Sequence, residues 1–125
     1  MRIHAYLVLL IVLLISSCQR SSDKNYPETL TADKLLSIKL GMSKDTVKFI
    51  LGEPIVENNE TFEYTKRQYF HYPMIWIHFD SNAVREVYVK KYFFFDDQGI
   101  YGLSKNPVTG EIHQWGVEAL RETIR

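Results

Sequence analysis

A single apolar run near the N-terminus limits which residues can belong to a folded domain. Residues 5–15 are apolar throughout, Arg2 places a positive charge before them, and two serines and then Cys18 follow. A charged start, a short apolar core and small residues before a cut site are typical of a secretory signal peptide. The run is too short to cross a hydrocarbon core, which needs about 20 apolar residues. We therefore expect residues 1–17 to be removed as a signal peptide.

The residues around the cut site resemble a known class of signal. Ile-Ser-Ser-Cys at positions 15–18 resembles the lipobox of bacterial lipoproteins, which implies that the Cys18 thiol receives a diacylglyceryl group and that Cys18 becomes the mature N-terminus. We interpret residues 18–30 as a lipidated tether, because residues 19–29 are polar and lack apolar periodicity. Gln19, not aspartate, follows the cysteine. Under the sorting rule of enteric bacteria, this implies the outer membrane, with the domain facing the periplasm.

Charge and composition restrict the partners and the core of the remaining chain. Fifteen basic residues balance fifteen acidic ones, which argues against nucleic acid as a partner, since nucleic-acid binding usually needs a basic face. Cys18 is the sole cysteine of the sequence, so the fold must hold without an intrachain disulfide. Seven Phe, eight Tyr and two Trp residues bury large areas and can give a short domain its core.

The first part of the domain carries the signals of two short helices. Thr31 and Ser43 are suited to cap the two N-termini, and Gly41 and Gly52 are placed to end the helices with a positive φ. The apolar residues after Ser43 recur at helical spacing, so they share one face: Val47, Ile50 and Leu51. The pattern predicts an αα-hairpin.

The apolar period then changes to that of strands. Thr61–Thr65, Met74–Phe79 and Val84–Val89 alternate between apolar and polar residues. Two helices followed by three antiparallel strands predict an α+β domain, with two short N-terminal helices packed on a three-stranded sheet. Residues 100–103 would make the sheet four-stranded.

The last third of the chain is predicted as a C-terminal extension, residues 92–125. Residues 92–95 extend the third strand in this interpretation, and residues 96–99 form a turn. Residues 106–110 form a second turn cluster, and residues 115–124 a terminal helix.

One segment resembles a known family. Lys39–Val47, followed by Ile50–Pro54, resembles the Gly-Met-Thr/Ser-x-x-x-Val-x-x-x-Leu-Gly-x-Pro signature of the SmpA/OmlA (BamE-like) bacterial lipoproteins. The resemblance covers roughly residues 35 to 90. It implies a BamE-like ααβββ domain over residues 31–91 and a habit of binding other envelope proteins, while function depends on the surface site.

The sequence offers few groups for catalysis or metal binding. His71, His78 and His113 have no zinc-site spacing, and Asp96-Asp97 lacks the alternating oxygen ligands of a calcium loop. The sole cysteine is the predicted lipidation site. We therefore predict no catalytic site, no metal and no cofactor, and a protein that is not an enzyme.

Aromatic residues are the better candidates for a binding site. Four consecutive aromatic residues, Tyr92–Phe95, cannot all point into one core, because side chains alternate along a strand. We expect the C-terminal extension to cover Phe93 to Phe95. We expect the connection before the second strand to bind a partner, and the candidates are Tyr69, Phe70, Tyr72 and Trp76.

Two functions from different classes fit these observations. The first is a non-enzymatic, periplasm-facing interaction module in outer-membrane protein assembly or envelope integrity, held at the membrane by the lipid on Cys18. The second is an inhibitor or immunity-type lipoprotein that blocks a periplasmic enzyme or toxin. In both, the partner is an envelope protein, and its identity separates the two.

Overall fold

The computed structural model describes residues 30–66, 71–94 and 96–124. The helices are α1 (Ala32–Leu36), α2 (Lys44–Leu51) and α3 (Val117–Thr123). The strands are β1 (Val56–Glu57), β2 (Thr61–Thr65), β3 (Tyr72–Asp80), β4 (Ala83–Phe93), β5 (Asp96–Lys105) and β6 (Ile112–Trp115). Within these ranges, no helix has the length and apolar character needed to cross a membrane.

The strands form one antiparallel sheet in chain order, from β1 at one edge to β6 at the other. Each strand pairs with the next along the chain. The pairing shifts register at two irregularities, between His78 and Phe79 on β3 and between Val89 and Lys90 on β4. Elsewhere the alternation of side chains is kept, so each strand contributes residues to both faces of the sheet.

The predicted helix signals are confirmed. The Thr31 hydroxyl accepts from the Lys34 N–H at the start of α1, and the Ser43 hydroxyl accepts from the Thr46 N–H at the start of α2. These bonds satisfy backbone donors that have no partner within the helix. Gly41 and Gly52 have φ values of 89° and 85°, a conformation that favours glycine.

The connection between α1 and α2 is hydrogen-bonded to the sheet. The Gly41 N–H donates to the Val84 carbonyl at 2.8 Å, and the Val84 N–H donates to the Met42 carbonyl at 2.9 Å. Ser43 forms an isolated antiparallel bridge with Ala83. These bonds attach the connection to the start of β4 and so fix where α2 begins.

One face of the sheet, the covered face, forms the core together with the helices. Lys44 and Lys48 of α2 place their Nζ atoms 5.5 Å and 5.4 Å from the ring centroids of Phe79 and Phe62, so α2 lies over this face. The buried apolar sheet side chains of this core are Phe62, Tyr64, Ile75, Ile77, Phe79, Val84, Val87, Val89, Ile100, Tyr101 and Leu103. The helical side chains packed into the same core are Ala32, Leu35, Val47, Leu51 and Leu120.

The predicted fold of two helices on a three- or four-stranded sheet is wrong. The described chain has six strands and three short helices, and it is mostly strand. Residues 96–99, predicted as a turn, belong to β5, because pairing with β4 outweighs their turn-like composition. The short edge strands β1 and β6 expose every residue, so they lack an alternating burial pattern.

The C-terminal end returns to the covered face. Gly116 joins β6 to α3 with a φ of 79°, and a Cβ there would overlap the Ile100 carbonyl oxygen. Leu120 and Ile124 are fully buried in the core. The expectation that this end covers Phe93 to Phe95 is wrong for Phe93 and Phe94, which are 45% and 76% exposed, while Phe95 lies outside the described residues.

Candidate functional site

The face of the sheet opposite the helices, the open face, presents aromatic side chains. Strand register places Glu63, Trp76, Tyr88, Gly102 and Trp115 side by side across five strands. Trp76 and Tyr88 are half-buried, and Trp115 is 39% exposed. In the described chain, the helices bury their apolar side chains against the other face. The open face therefore keeps an aromatic surface at its centre.

Three of these residues, Trp76, Tyr88 and Trp115, form what we call the aromatic row. The ring centroids of Trp76 and Tyr88 lie 6.1 Å apart with an interplanar angle of 25°. Those of Tyr88 and Trp115 lie 6.3 Å apart at 60°. The rings come from β3, β4 and β6, so the sheet holds them at fixed spacing. Such contacts contribute about 0.5–1.5 kcal/mol per pair beyond the area buried.

Two glycines of β5 make room for the row. A Cβ at Gly102 would overlap the indole Nε1 of Trp115. A Cβ at Gly99 would lie 2.6 Å from the Tyr88 hydroxyl and 3.3 Å from Trp115 Cη2. The indole therefore lies across the backbone of β5, reaching from the edge strand towards the middle of the sheet. This arrangement covers backbone that glycine leaves bare and also holds the indole in one orientation.

A second aromatic pair lies at one end of the open face. Tyr72 and Tyr92 stack with centroids 5.3 Å apart and an interplanar angle of 16°, and Tyr72 is 47% exposed. Nearby, Lys90 Nζ lies 3.3 Å from Asp97 Oδ2. The hydrogen bond to Asp97 is the main reason that the pKa of Lys90 is raised. The end of the face thus combines exposed aromatic surface with a surface ion pair.

Polar residues line the row on its other side. Register places Thr61, His78, Glu86, Ser104 and His113 next to one another. Thr61 Oγ1 and His78 Nδ1 lie 3.0 Å apart and form a hydrogen bond. Within the described residues, no hydrogen bond joins Ser104 to His113.

A surface groove runs between the β3–β4 turn and the β5–β6 turn. Its charged side chains are of both signs: Asp80, Arg85, Glu86 and Lys105. Asn106 stabilises the β5–β6 turn that lines one side of the groove, because its side-chain oxygen accepts from the N–H groups of Val108 and Thr109 at 2.8 Å and 3.2 Å. Mixed charge at the surface favours neither an anion nor a cation.

The predicted site residues fall into two groups. Tyr72 and Trp76 lie on β3 and project from the open face, so the structure brings these two predicted residues to one surface. They lie in a strand, not in the connection where the sequence placed part of the cluster. Cys18, Tyr69 and Phe70 lie outside the described residues.

Sequence reasoning missed Tyr88 and Trp115 as members of the same surface. The signal for Tyr88 was present, because Val87 and Val89 share one face of the predicted strand and their neighbour must then point to the other face. Trp115 was assigned to the terminal helix, whereas it ends β6. Its contact with the glycines of β5 is non-local and left no periodic signal.

Among the residues that the structure describes, no three His, Cys, Asp or Glu side chains are grouped as metal ligands would be. No protein-family model, curated protein or solved structure matches this chain. The resemblance to the SmpA/OmlA family therefore stays a prediction from the motif at residues 39–54.

Proposed function

We propose that this chain is a lipid-anchored, non-enzymatic interaction module of the bacterial cell envelope. In this proposal the lipid is attached to Cys18, the domain faces the periplasm, and the aromatic row binds an envelope protein. The aromatic row carries the proposal, since it lies on the face of the sheet that the helices leave open.

The physical character of the row suits a protein partner. Trp and Tyr are the residues most enriched at binding hot spots, where a few large side chains supply most of the affinity. The rings are already fixed by the sheet and by the bare backbone of Gly99 and Gly102. Binding therefore costs little side-chain entropy, because a preorganised surface loses less freedom than a mobile one.

The surroundings of the row add specificity. Thr61 and His78 form a hydrogen-bonded pair beside it, and Lys90 and Asp97 form an ion pair on its other side. An apolar centre with a polar rim is the usual arrangement of a protein interface. The lipid would raise the effective concentration of the row near membrane partners.

Site-specific photocrosslinking in the native envelope tests this function. A photoreactive amino acid is introduced into the full-length chain at Trp76 or Trp115, with Phe49 as the control position. Phe49 is 91% exposed on α2, away from the open face. We expect one and the same protein to be captured from positions 76 and 115, and not from position 49.

The identity of the captured protein then decides between the two functions. A component of outer-membrane protein assembly supports the interaction module, and a periplasmic hydrolase or toxin supports the inhibitor. Capture of the same proteins from all three positions would show that the open face is not a specific binding surface, and the proposal would be wrong.

A further inference from the structure

A pair of exposed phenylalanines lies where β4 turns into β5. Phe93 ends β4, Phe94 follows it, and β5 begins at Asp96. The two rings contact each other edge to face, with centroids 4.9 Å apart. Both side chains are exposed, and neither belongs to the core. We call this pair the Phe tip.

The backbone conformation of the Phe tip is unfavourable for the stability of the fold. Phe94 has a φ of 52°, in the left-handed region that Gly or Asn usually occupies in a hairpin turn. A non-glycine residue is disfavoured there, because its Cβ lies too close to the following carbonyl oxygen. Exposing a large apolar ring on such a residue gains little for the fold, and strained backbone of this kind is often found at functional sites.

The N-terminal end of the described chain lies at the same end of the sheet. Lys66 Nζ donates to the Leu30 carbonyl at 3.0 Å, and Lys66 directly follows the last residue of β2. Thr65, that last residue, pairs with Met74 near the start of β3. Tyr72, at the start of β3, pairs with Tyr92, which precedes the Phe tip on β4. The residues before Leu30 therefore join the domain at the end that carries the Phe tip.

We propose that the Phe tip inserts into the interfacial layer of the phospholipid bilayer that holds the lipid of Cys18. This inference rests on the lipid anchor in the proposed function. Residues 18–30 span at most about 47 Å at full extension. The anchor therefore limits how far this end of the sheet can lie from the bilayer, and the exposed rings lie at the end where the tether joins the domain.

The charges around the Phe tip fit a shallow position in the bilayer. Lys91 precedes it on β4, and a long lysine side chain can reach lipid phosphates while its stem stays in apolar surroundings. The neighbouring Lys90 pairs with Asp97. Asp96 and Asp97 follow it and are exposed, and carboxylates are costly to bury in hydrocarbon. The stacked pair of Tyr72 and Tyr92 then lies at headgroup level, where tyrosine is favoured.

Insertion of the Phe tip also determines how the open face is oriented relative to the bilayer. The Phe tip and the aromatic row belong to the same rigid sheet. With the tip in the membrane, the strands point away from the bilayer, and the aromatic row is displayed sideways to a neighbouring envelope protein. The aromatic row itself thus stays free of lipid.

Depth-dependent fluorescence quenching tests the proposal on the full-length lipidated chain. Phe94→Cys and the control Phe49→Cys are each labelled with an environment-sensitive dye and reconstituted into phosphatidylglycerol and phosphatidylcholine vesicles that contain doxyl lipids. An acylated Cys18 cannot react with the dye, so each variant carries one label. We expect the label at position 94 to be quenched at least about twofold, as for a group in the interfacial layer, and the label at position 49 to be unchanged.

Mass spectrometry of the same samples shows whether Cys18 is acylated, and so tests the lipid anchor independently of the Phe tip. An acylated Cys18 with no quenching at position 94 would overturn the Phe-tip proposal and leave the anchor intact. An unmodified Cys18 would overturn the anchor and, with it, the orientation argued here. A blue-shifted label at position 94 that doxyl lipids do not quench would place the Phe tip against protein, and the proposal would be wrong.

Discussion

Strand β3 carries aromatic rings to both faces of the sheet. On the covered face, Phe79 meets Phe62 edge to face at 4.6 Å, and both rings are almost completely buried. On the open face, Trp76 stacks on Tyr88 at 6.1 Å, and both remain half-buried. The same strand thus supplies rings to a core, where the volume of each side chain determines stability. It also supplies rings to a surface, where the orientation of each ring determines what the surface can bind. Residues of the two faces should therefore respond differently to substitution.

The largest difference in the loss of stability is expected between substitutions at two residues of α2. Leu51→Ala should destabilise the protein by about 2–5 kcal/mol, because Leu51 is buried in the core and its truncation leaves a cavity. Phe49→Ala, two positions away on the exposed side of the helix, should change stability by less than about 0.5 kcal/mol. Urea unfolding of each full-length variant measures the two effects. Equal losses would mean that α2 does not separate core from solvent as described.

On the open face, adding a methyl group at Gly102 should reduce stability more than removing a hydroxyl group at Ser104. Gly102→Ala should cost about 1–3 kcal/mol, because the new Cβ overlaps the indole of Trp115 and the ring must move. The neighbouring substitution Ser104→Ala on the same strand should cost less than about 0.5 kcal/mol. Unfolding in urea gives the cost, and a change in tryptophan emission should accompany Gly102→Ala alone. If both variants behave alike, Trp115 does not lie across β5.

The covered face was easier to predict from the sequence than the open face. Thr61–Thr65 was predicted with its observed bounds, since Phe62 and Tyr64 alternate with polar residues and both are buried. The caps at Thr31 and Ser43 were equally local signals. The aromatic row instead depends on the register between strands. It also depends on Gly99 and Gly102, which make room for the rings only once the sheet has assembled. One of the three residues of that row, Trp76, was predicted as a site residue, while Trp115 could not be.

The late start predicted for β5 has a related physical explanation. Asp96 to Gly99 has the composition of a turn, and yet it pairs with β4 along its whole length. The actual turn is made by Phe94, an aromatic residue that turn propensity does not favour. Composition therefore predicted the hairpin a few residues too late, and the strand predicted at residues 100–103 is shorter than β5.

One hydroxyl group at the boundary of the core should link stability to alkaline pH. The Tyr64 hydroxyl donates to the Gly52 carbonyl at 2.9 Å, joining β2 to the end of α2. Its loss in Tyr64→Phe should cost about 1 kcal/mol. Burial raises the pKa of Tyr64 above its ordinary value, so the folded chain holds this proton more tightly than the unfolded chain. Stability should therefore be full below about pH 10 and fall as the pH rises above it.

Urea unfolding between pH 8 and pH 11 checks the sign of this dependence; the range brackets the ordinary tyrosine pKa of about 10. Tyr64→Phe should flatten the alkaline decline, and the double variant with Tyr101→Phe should flatten it further, because burial also raises the pKa of Tyr101. An unchanged slope in both variants would mean that these hydroxyls ionise equally well in the folded chain.

The smallest effect on stability is expected at the Phe tip, and its sign is informative. Phe94→Gly relieves the positive φ of 52° but adds freedom to the unfolded chain, so the net change should lie between zero and a gain of about 1 kcal/mol. The exposed ring makes no core contact whose loss would offset this gain. Thermal melting of the full-length chain measures the change. A clear loss of stability would mean that the Phe94 ring supports the hairpin, whereas unchanged or increased stability means that a residue unfavourable for the turn is retained there for a contact outside the fold.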